Sequence, residues 1–305
     1  MESIFVESNG LKHHVLIWGE GRRDDVLILH GYLDCARSFT EVAEALEAGG
    51  HRVIVPDLRG FGLSDRVPRG AYYHFPDYVA DVKGVVESLI EEPFHIVGHS
   101  MGGAVATLFA GTFPASVRSL ATLEGVGIPS MPVEDAPKRF AQWIRDVRRT
   151  ARRGPRRMKN LGEVVDRMRL VNPDVPDAIL HKIAPRLVRR VDEGLEFLFD
   201  PLHQTTSPKR FDEAEFMAFA ARLTCPVLHI GGNPPGKWPE LEARAQRYPS
   251  SRFVRLPTAG HMMHWTQPEK TADVLLSFMA DPSLPGADGI TEAAVPPGPG
   301  TGIWT

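Results

Sequence analysis

Short apolar runs alternate along the chain with segments in which apolar residues recur every three to four positions. The apolar runs are typical of buried strands, and the second pattern is typical of helices with one buried face. Strands are predicted at residues 25–30, 52–57, 94–98, 119–124, 226–232 and 251–257. Helices are predicted at residues 38–48, 75–91, 101–112, 239–248 and 268–279. This alternation predicts a parallel sheet covered on both faces, and the pattern around Asn9-Gly10 adds an N-terminal hairpin.

The alternation stops between residues 128 and 221, where helical patterns and prolines occur without a convincing strand. Because strands resume afterwards, we interpret 128–221 as a helical insertion into a core formed by residues 1–127 and 222–280. The last segment, 281–305, is rich in proline and glycine and is predicted to be disordered.

The composition is that of an ordinary globular protein and excludes several classes. Of the 305 residues, 43% are hydrophobic and 24% are charged, and the formal net charge is −3. This charge predicts no nucleic-acid partner, and the lack of a run of about 18 apolar residues predicts no stable membrane insertion. The N-terminus has no basic and apolar signal segment, and Cys35 and Cys225 do not form a disulfide framework. We therefore expect a cytoplasmic protein, and the oligomeric state stays open.

The segment "FHIVGHSMGG" places a serine where a predicted strand meets a predicted helix. Gly98 and Gly102 lie two positions before and after Ser100 and remove side chains that would collide in a tight turn. Such a turn holds the serine in a strained conformation, with its hydroxyl exposed at the carboxyl edge of the sheet. Open parallel sheets bind ligands at that edge, so we interpret Ser100 as a nucleophile.

A serine hydroxyl needs a base, and the oxyanion that it generates needs hydrogen-bond donors. His261 in "TAGHMMHW" follows the last predicted strand in a short loop that would lie beside Ser100. The alternative interpretation of His261 is an ordinary surface histidine. The first parallel strand also ends next to the serine turn, so the backbone N–H groups of Tyr32 and Met101 are the predicted oxyanion hole.

Four motifs in order, "HGYLDCARSF", "VPDLRGFGLSD", "VGHSMGG" and "AGHMMHW", resemble those of the α/β-hydrolase superfamily. Within that superfamily the chain is similar to the serine hydrolase-like proteins, through "YYHFPDYVADV", "NPDVP" and "FLFDPLHQTTSP". The resemblance covers residues 26 to about 280. It implies an α/β-hydrolase fold: an eight-stranded, mostly parallel sheet with helices on both faces and a helical cap formed by the 128–221 insertion.

The position of the triad acid departs from the commonest form of this family. That acid usually follows the strand at 226–231, where this chain reads Gly-Gly-Asn-Pro-Pro without a carboxylate. Glu124 directly follows the strand after the serine turn, an arrangement that certain haloalkane dehalogenases and coelenterazine luciferases resemble. A glutamate at the end of a buried strand needs a partner, and His261 would provide one. Glu124 is therefore the preferred candidate.

Alternatives to this assignment stay open. Glu240 and Glu242 lie in the predicted helix after the Gly-Gly-Asn turn, and the protein could also work as a serine-histidine dyad without an acid. Asn233 could orient the imidazole but could not balance its charge. Glu124 itself could cap the following turn or pair with an arginine of the insertion.

Four further side chains near these motifs are interpreted as structural. Asp57 is expected to hydrogen-bond the loop that follows it, His99 to pack beneath the serine turn, and His264 to begin the last helix. Cys35 is near the predicted oxyanion loop but has no base beside it in sequence, which argues against a nucleophilic role.

The insertion carries a basic run, "RDVRRTARRGPRRMK", at residues 145–159, with Asp146 as its one acid. One interpretation is contact with an anionic substrate or a membrane surface. From the sequence we favour a solvated helix whose arginines pair with acids such as Glu163 and Asp166.

The predicted function is hydrolysis of a carboxylic ester, thioester or lactone of a small molecule through an acyl-enzyme. Its candidate catalytic residues are Ser100, His261 and Glu124. The sequence has no phosphate loop, zinc spacing or dinucleotide fingerprint, so no metal or organic cofactor is expected. Hydrolysis of a C–C bond, perhydrolysis and ligand binding without catalysis are alternatives on the same fold.

Overall fold

The structure is a computed structural model that describes residues 1–20, 23–128, 130–232, 239–283 and 291–292. It contains a large mixed sheet with helices on both faces and a smaller sheet in the inserted segment. Most of the tail for which disorder is predicted lies outside the described residues. Within that tail, Thr291 and Glu292 pair with the edge of the main sheet.

The strands of the main sheet occupy the predicted apolar runs. The described residues contain twelve strands: β1 (Glu2–Ser8), β2 (Leu11–Trp18), β3 (Val26–Leu29), β4 (Val53–Pro56), β5 (Phe94–His99), β6 (Val117–Leu123), β7 (Arg157–Met158), β8 (Val188–Val191), β9 (Gly194–Phe197), β10 (Val227–Gly232), β11 (Ser251–Leu256) and β12 (Thr291–Glu292). The main sheet has the order β1-β2-β4-β3-β5-β6-β10-β11-β12. The six strands from β4 to β11 in this order run parallel to one another.

The eight-stranded, mostly parallel sheet is therefore confirmed, with the two-residue β12 as an additional antiparallel edge strand. The predicted N-terminal hairpin is also present, since β1 pairs antiparallel with β2. Asn9 and Gly10 both have positive φ, 50° and 75°, as the tight two-residue turn of a hairpin requires.

Helices cover both faces of this sheet. The described residues contain ten α-helices: α1 (Thr40–Ala48), α2 (Phe75–Leu89), α3 (Met101–Thr112), α4 (Ala136–Arg153), α5 (Leu161–Val171), α6 (Asp177–Ile183), α7 (Glu213–Ala220), α8 (Pro239–Ala245), α9 (Met263–Thr266) and α10 (Pro268–Ala280). Helices α1 and α10 cover one face, and α2, α3, α7 and α8 cover the other. None of the helices in the described ranges combines the length and apolarity needed to cross a lipid bilayer.

Strand β3 shows why the strands read as continuous apolar runs. Val26 and Ile28 pack toward α1 and α10, whereas Leu27 and Leu29 pack toward α2 and α3, and all four are fully buried. Both faces of the strand therefore exclude water. Burial of an aliphatic side chain contributes about 1.5–3 kcal/mol, so a polar residue at any of these positions would be costly.

Three short strands in the insertion were not predicted. Strands β7, β9 and β8 form an antiparallel sheet in that order. They have two or four residues each, and β8 reads VRRV, so no apolar-polar alternation of useful length exists in the sequence. Pairing between the strands, rather than local propensity, stabilises them.

The insertion has a small apolar core of its own, which includes side chains from loops of the main domain. Its fully buried members include Met158, Val164, Leu180 and Ile183, together with Cys35 from the loop after β3. Helix α7, by contrast, packs against α3 on the main sheet. The insertion is thus joined to the sheet at several points rather than at one hinge.

Candidate active site

The serine turn lies at the carboxyl end of β5, where the chain passes directly into α3. Ser100 has φ 50° and ψ −115°, a conformation that residues other than glycine rarely adopt. A Cβ atom at Gly98 would lie 2.4 Å from the carbonyl oxygen of Gly102, and one at Gly102 would lie 2.2 Å from the carbonyl oxygen of Leu29. Both positions therefore require glycine, and the turn presses against the end of β3.

The first turn of α3 also contacts the backbone that follows β6. A Cβ atom at Gly103 would lie 2.5 Å from the Cα atom of Gly125. The N–H of Ser100 donates to the carbonyl oxygen of Leu123 at 3.0 Å. Two glycines thus allow the helix to approach the strand end at backbone distance, and this approach holds Glu124 beside the serine turn.

His261 lies in the turn between β11 and α9, and Glu124 aligns its ring. The Nδ1 atom of His261 is 2.8 Å from Oε2 of Glu124. An ionised carboxylate can only accept, so Nδ1 carries the proton, and Nε2 of the neutral ring keeps a lone pair. The turn that carries His261 packs directly against Gly232, where a Cβ atom would lie 2.4 Å from the carbonyl oxygen of Gly260. The His261 side chain is 45% exposed and that of Glu124 only 13%.

Glu124 is held at three points. Its N–H donates to the carbonyl oxygen of Ile230 at 2.9 Å, and its Oε1 accepts from the N–H of Gly232 at 2.8 Å. Its φ of 46° is left-handed, which is unusual for a glutamate. Burial raises the pKa of Glu124, but the hydrogen bonds from His261 and Gly232 outweigh burial and hold the pKa below its ordinary value. The carboxylate is therefore ionised and oriented.

The other candidates for the acid do not contact His261 within the described residues. Glu242 forms an ion pair with Arg255 instead. The side chain of Glu240 and the whole of Asn233 lie outside the described residues. Of the carboxylates considered from the sequence, the structure brings Glu124 to the imidazole.

The loop after β3 runs along the serine turn. A Cβ atom at Gly31 would lie 3.3 Å from the Cβ of Ser100. Nε2 of His30 accepts from the N–H of Leu58 at 2.9 Å, so its Nδ1 carries the proton and donates to the carbonyl oxygen of Gly31 at 2.8 Å. The C=O and N–H of one trans peptide point in opposite directions, so this bond directs the Tyr32 N–H away from His30.

The second predicted donor comes from the helix. Met101 is the first residue of α3, and the first N–H groups of a helix have no partner inside it. Tyr32 and Met101 therefore both lie on segments that border Ser100. The hydroxyl of Tyr32 donates to the carbonyl oxygen of His203 at 2.7 Å, which ties this loop to the insertion.

A cluster of buried polar side chains beneath these loops was not predicted as a unit. Nε2 of His99 donates to the carbonyl oxygen of His261, and Nε2 of His264 donates to Oδ2 of Asp34, both at 2.9 Å. The ring centroids of His99 and His264 are 4.3 Å apart. The cluster connects the serine turn, the His261 turn and the loop after β3. In the sequence its members are single polar residues in three separate motifs, so nothing local indicated that they would meet.

The electrostatics of this cluster follow from its burial. Burial holds the pKa of His99 and of His264 well below the ordinary value, so both rings are neutral at neutral pH. Burial raises the pKa of Asp34 to about 6. The three side chains offer ligand atoms within 4.8 Å of one another, a set that a metal ion could use. Because each Nε2 donates a hydrogen bond, the lone pair of each ring is on Nδ1, which is buried and has no hydrogen-bond partner among the described residues.

Asp57 and Cys35 have structural roles, as predicted. Oδ1 of Asp57 accepts from the N–H of Ala36 at 2.7 Å, and its Oδ2 accepts from the N–H of Leu63 at 2.9 Å. Cys35 is fully buried, and its Sγ donates to the carbonyl oxygen of Arg186 at 3.4 Å. Burial, with the nearby Asp57 charge, raises the pKa of the Cys35 thiol well above its ordinary value. The thiol is therefore protonated and a poor nucleophile.

Comparison with known families agrees with this architecture. The model of the alpha/beta hydrolase fold family matches residues 25–268, which include Ser100, Glu124 and His261. The chain belongs to the α/β-hydrolase fold family, as its four sequence motifs indicated.

Individual relatives point in the same direction. A serine hydrolase-like protein of Danio rerio is 34% identical over 187 residues, which are 60% of this chain and 57% of that protein. Serine hydrolase-like protein 2 of Homo sapiens is 26% identical over 282 residues, which are 86% of this chain and 88% of that protein. A hypothetical protein of Pseudomonas aeruginosa PAO1 is similar in structure, with 26% identity and a TM-score of 0.82 over 92% of this chain and 100% of that chain. The two serine hydrolase-like relatives support a hydrolase.

Proposed function

We propose that this chain hydrolyses a carboxylic ester, thioester or lactone of a small molecule, with Ser100 as the nucleophile, His261 as the base and Glu124 as the orienting acid. The observation that carries the proposal is the 2.8 Å hydrogen bond from Nδ1 of His261 to Oε2 of Glu124. A second bond, from His99 to the backbone of His261, ties the base to the residue before the serine. The proposed chemistry is consistent with the names of the relatives.

Acylation begins when Oγ of Ser100 attacks the substrate carbonyl carbon. Nε2 of His261 takes the hydroxyl proton, and the carbonyl oxygen becomes an oxyanion that the N–H groups of Tyr32 and Met101 stabilise. The imidazolium then protonates the leaving alcohol or thiol as the bond from the acyl carbon to its oxygen or sulfur breaks. The acyl group is left on Ser100.

Deacylation repeats these steps with water in place of serine. Nε2 of His261 removes a proton from water, and the resulting hydroxide attacks the acyl carbon. The same backbone N–H groups hold the second oxyanion. The imidazolium returns its proton to Oγ of Ser100, and the free acid leaves.

The surroundings of His261 favour its charged form in the transition state. Glu124 is ionised and 2.8 Å from Nδ1, so it stabilises the imidazolium and fixes the tautomer. The ring centroid of His99 is only 4.8 Å from that of His261. Because burial keeps His99 neutral, it adds no positive charge that would oppose protonation of His261.

The test is the initial rate on p-nitrophenyl esters of increasing acyl length, for the wild type and for Ser100→Ala. We expect turnover by the wild type and a loss of roughly 10³-fold or more in the variant. Ser88→Ala is a matched control, since Ser88 is exposed on α2 and donates only to the carbonyl oxygen of Gly84 within the described residues. It should react like the wild type.

Labelling with a fluorophosphonate separates the nucleophile from the substrate class. The wild type and Ser88→Ala should be labelled, and Ser100→Ala should not. Labelling without turnover of any ester would keep Ser100 as the nucleophile and reject the proposed substrates. Neither labelling nor turnover by the folded wild type would overturn the proposal and favour ligand binding without catalysis.

A further inference from the structure

Helix α4 of the insertion has an unusual side-chain composition. Its 18 residues include seven arginine or lysine side chains and one acid, Asp146. The whole chain has a formal net charge of −3, so this positive charge is concentrated in a protein that is otherwise acidic. A helix of this length extends over about 27 Å, which is enough for a substantial contact surface.

The helix is attached to the protein by one narrow face. Asp146 is its only buried residue, and Oδ2 of Asp146 accepts from the N–H and the hydroxyl of Thr206. On the same side, the indole of Trp143 packs edge-on against the ring of Tyr72, with centroids 5.7 Å apart. The remaining circumference of α4 faces outward.

Apolar side chains form a stripe on this outward surface. Phe140 and Ile144 are one turn apart, so they lie on the same face, and they are 53% and 42% exposed. Ala151, two turns beyond Ile144, continues the stripe. Val133, in the turn that leads into α4, is 62% exposed. Water therefore contacts a row of partly exposed hydrophobic side chains.

Arginines lie beside this stripe. Two arginines of the basic run pair with acids as expected, Arg149 with Asp146 and Arg157 with Glu193 and Glu196, but the two acids named from the sequence, Glu163 and Asp166, are not their partners. Asp166 binds Arg169, and Glu163 accepts from the backbone N–H of Lys159. On the outward side of α4, Arg148 and Arg152 form no ion pair with any carboxylate of the described residues. Their positive charge is therefore not neutralised within the described part of the chain.

We propose that α4 binds the surface of an anionic lipid bilayer, with Phe140 and Ile144 inserted among the headgroups and the arginines beside the stripe, Arg148 and Arg152 among them, at the lipid phosphates. Exposed aromatic and aliphatic residues next to arginines are the pattern of helices that lie in a membrane interface. A soluble acidic protein or polyanion would use the arginines but would leave the apolar stripe in water. Charge complementarity and the stripe together therefore favour a bilayer.

The proposed lipid-binding surface of α4 does not depend on the proposed active site. The hydroxyl of Thr206 donates to Asp146 of α4. Three residues before Thr206, the carbonyl oxygen of His203 accepts a hydrogen bond from the hydroxyl of Tyr32. These contacts connect the attached face of α4 with the loop after β3. The proposal predicts membrane association whether or not Ser100 is a nucleophile.

The test is co-sedimentation of the full chain with phosphatidylcholine vesicles that contain or lack phosphatidylserine, at low and high salt. We expect binding only to the anionic vesicles and weaker binding at high salt. The double variant Arg148→Glu/Arg152→Glu should bind at least about tenfold more weakly, because each basic residue near such a surface contributes about 1 kcal/mol. Lys12→Glu/Lys270→Glu is the matched control, with the same change in net charge at exposed positions outside the insertion, and it should bind like the wild type.

The apolar stripe is tested separately. Phe140→Ser/Ile144→Ser should weaken vesicle binding about tenfold while circular dichroism stays unchanged. An environment-sensitive fluorophore on Ala151→Cys should shift to the blue on anionic vesicles. Two outcomes would overturn the proposal. The first is an equal loss of vesicle binding in both charge variants. The second is binding to heparin, a soluble polyanion, together with unchanged vesicle binding by Phe140→Ser/Ile144→Ser and no blue shift of the fluorophore.

Discussion

Helices α3 and α4 show opposite relations between sequence and packing. Helix α3 buries nine of its twelve residues and contacts β3, β5, β6 and α7. Helix α4 buries one of its eighteen residues, and that residue is an aspartate. The three glycines of α3 are each required by a neighbouring backbone atom, whereas the sequence of α4 is largely free of such constraints.

This difference separates two kinds of functional surface. At α3 the backbone segments around Ser100 are packed so closely that a Cβ atom at Gly98, Gly102 or Gly103 would lie within 2.5 Å of a neighbouring backbone atom. Small changes there should therefore alter both stability and chemistry. At α4 the outward side chains contact solvent, so changes there should affect binding to another surface and little else. Four substitutions, from the largest expected effect to the smallest, test this distinction.

Glu124→Gln should reduce kcat on a p-nitrophenyl ester by about 10²–10⁴-fold. The amide is uncharged, so it cannot stabilise the imidazolium, although it can still occupy the space beside α3. Glu242→Gln is the matched control, since Glu242 pairs with Arg255, and its kcat should match the wild type. Full activity of a folded Glu124→Gln protein would remove Glu124 from the proposed triad.

Gly103→Ala should lower the free energy of unfolding by about 2–4 kcal/mol, because the added Cβ would lie 2.5 Å from the Cα atom of Gly125. The added Cβ should also push Gly125 away from α3, and because Glu124 directly precedes Gly125, kcat should fall as well. Urea denaturation measures the first effect. Gly162→Ala in α5, where a Cβ has only the side-chain oxygen of Asn160 nearby, should change stability by less than about 1 kcal/mol. Similar losses in both variants would contradict the special role of α3.

Glu41→Gln tests the attachment of the insertion to the sheet domain. Burial raises the pKa of Glu41, but hydrogen bonds from Arg186 and Lys182 outweigh it and lower the pKa to about 2. The folded-state pKa is below the unfolded value, so the ion pair stabilises above pH 4.5 and is lost as the pH falls toward 2. The variant should lose about 1 kcal/mol at pH 7, after allowance for solvent screening, and nothing near pH 2. Thermal unfolding at several pH values would show a constant difference if this explanation is wrong.

Arg148→Ala should change the free energy of unfolding by less than about 0.5 kcal/mol, since the side chain is exposed and unpaired within the described residues. Hydrolysis of a short soluble ester should also be unchanged. A loss of more than about 2 kcal/mol would mean that the outward face of α4 is packed in solution.

The elements that hold the proposed nucleophile could be predicted from local patterns. Met101–Thr112 was predicted with the bounds that α3 has, and the apolar runs became β3, β4, β5 and β6 within one or two residues. Gly98 and Gly102 indicated the tight turn, because a serine turn between a strand and a helix has no room for side chains two positions before and after the serine. The short strands β7, β8 and β9 could not be predicted, since only their pairing makes them strands.

The sequence by itself determined the layered α/β architecture, the serine turn and a set of candidates for the partner of His261, because apolar periodicity and glycine sterics act over a few residues. Only the tertiary structure decided among those candidates. Parallel pairing of β6 with β10 brings Glu124 next to Gly232 and His261, residues more than 100 positions away in the chain.

The tertiary structure also decided the arrangement of the buried histidines. His99 and His264 appeared as isolated polar residues in separate motifs, and folding brings their rings together beneath three loops. The outward stripe of α4 is also a tertiary result, because the amphipathic pattern does not say which face the protein covers. Long-range contacts, which local propensity does not encode, decide each of these cases.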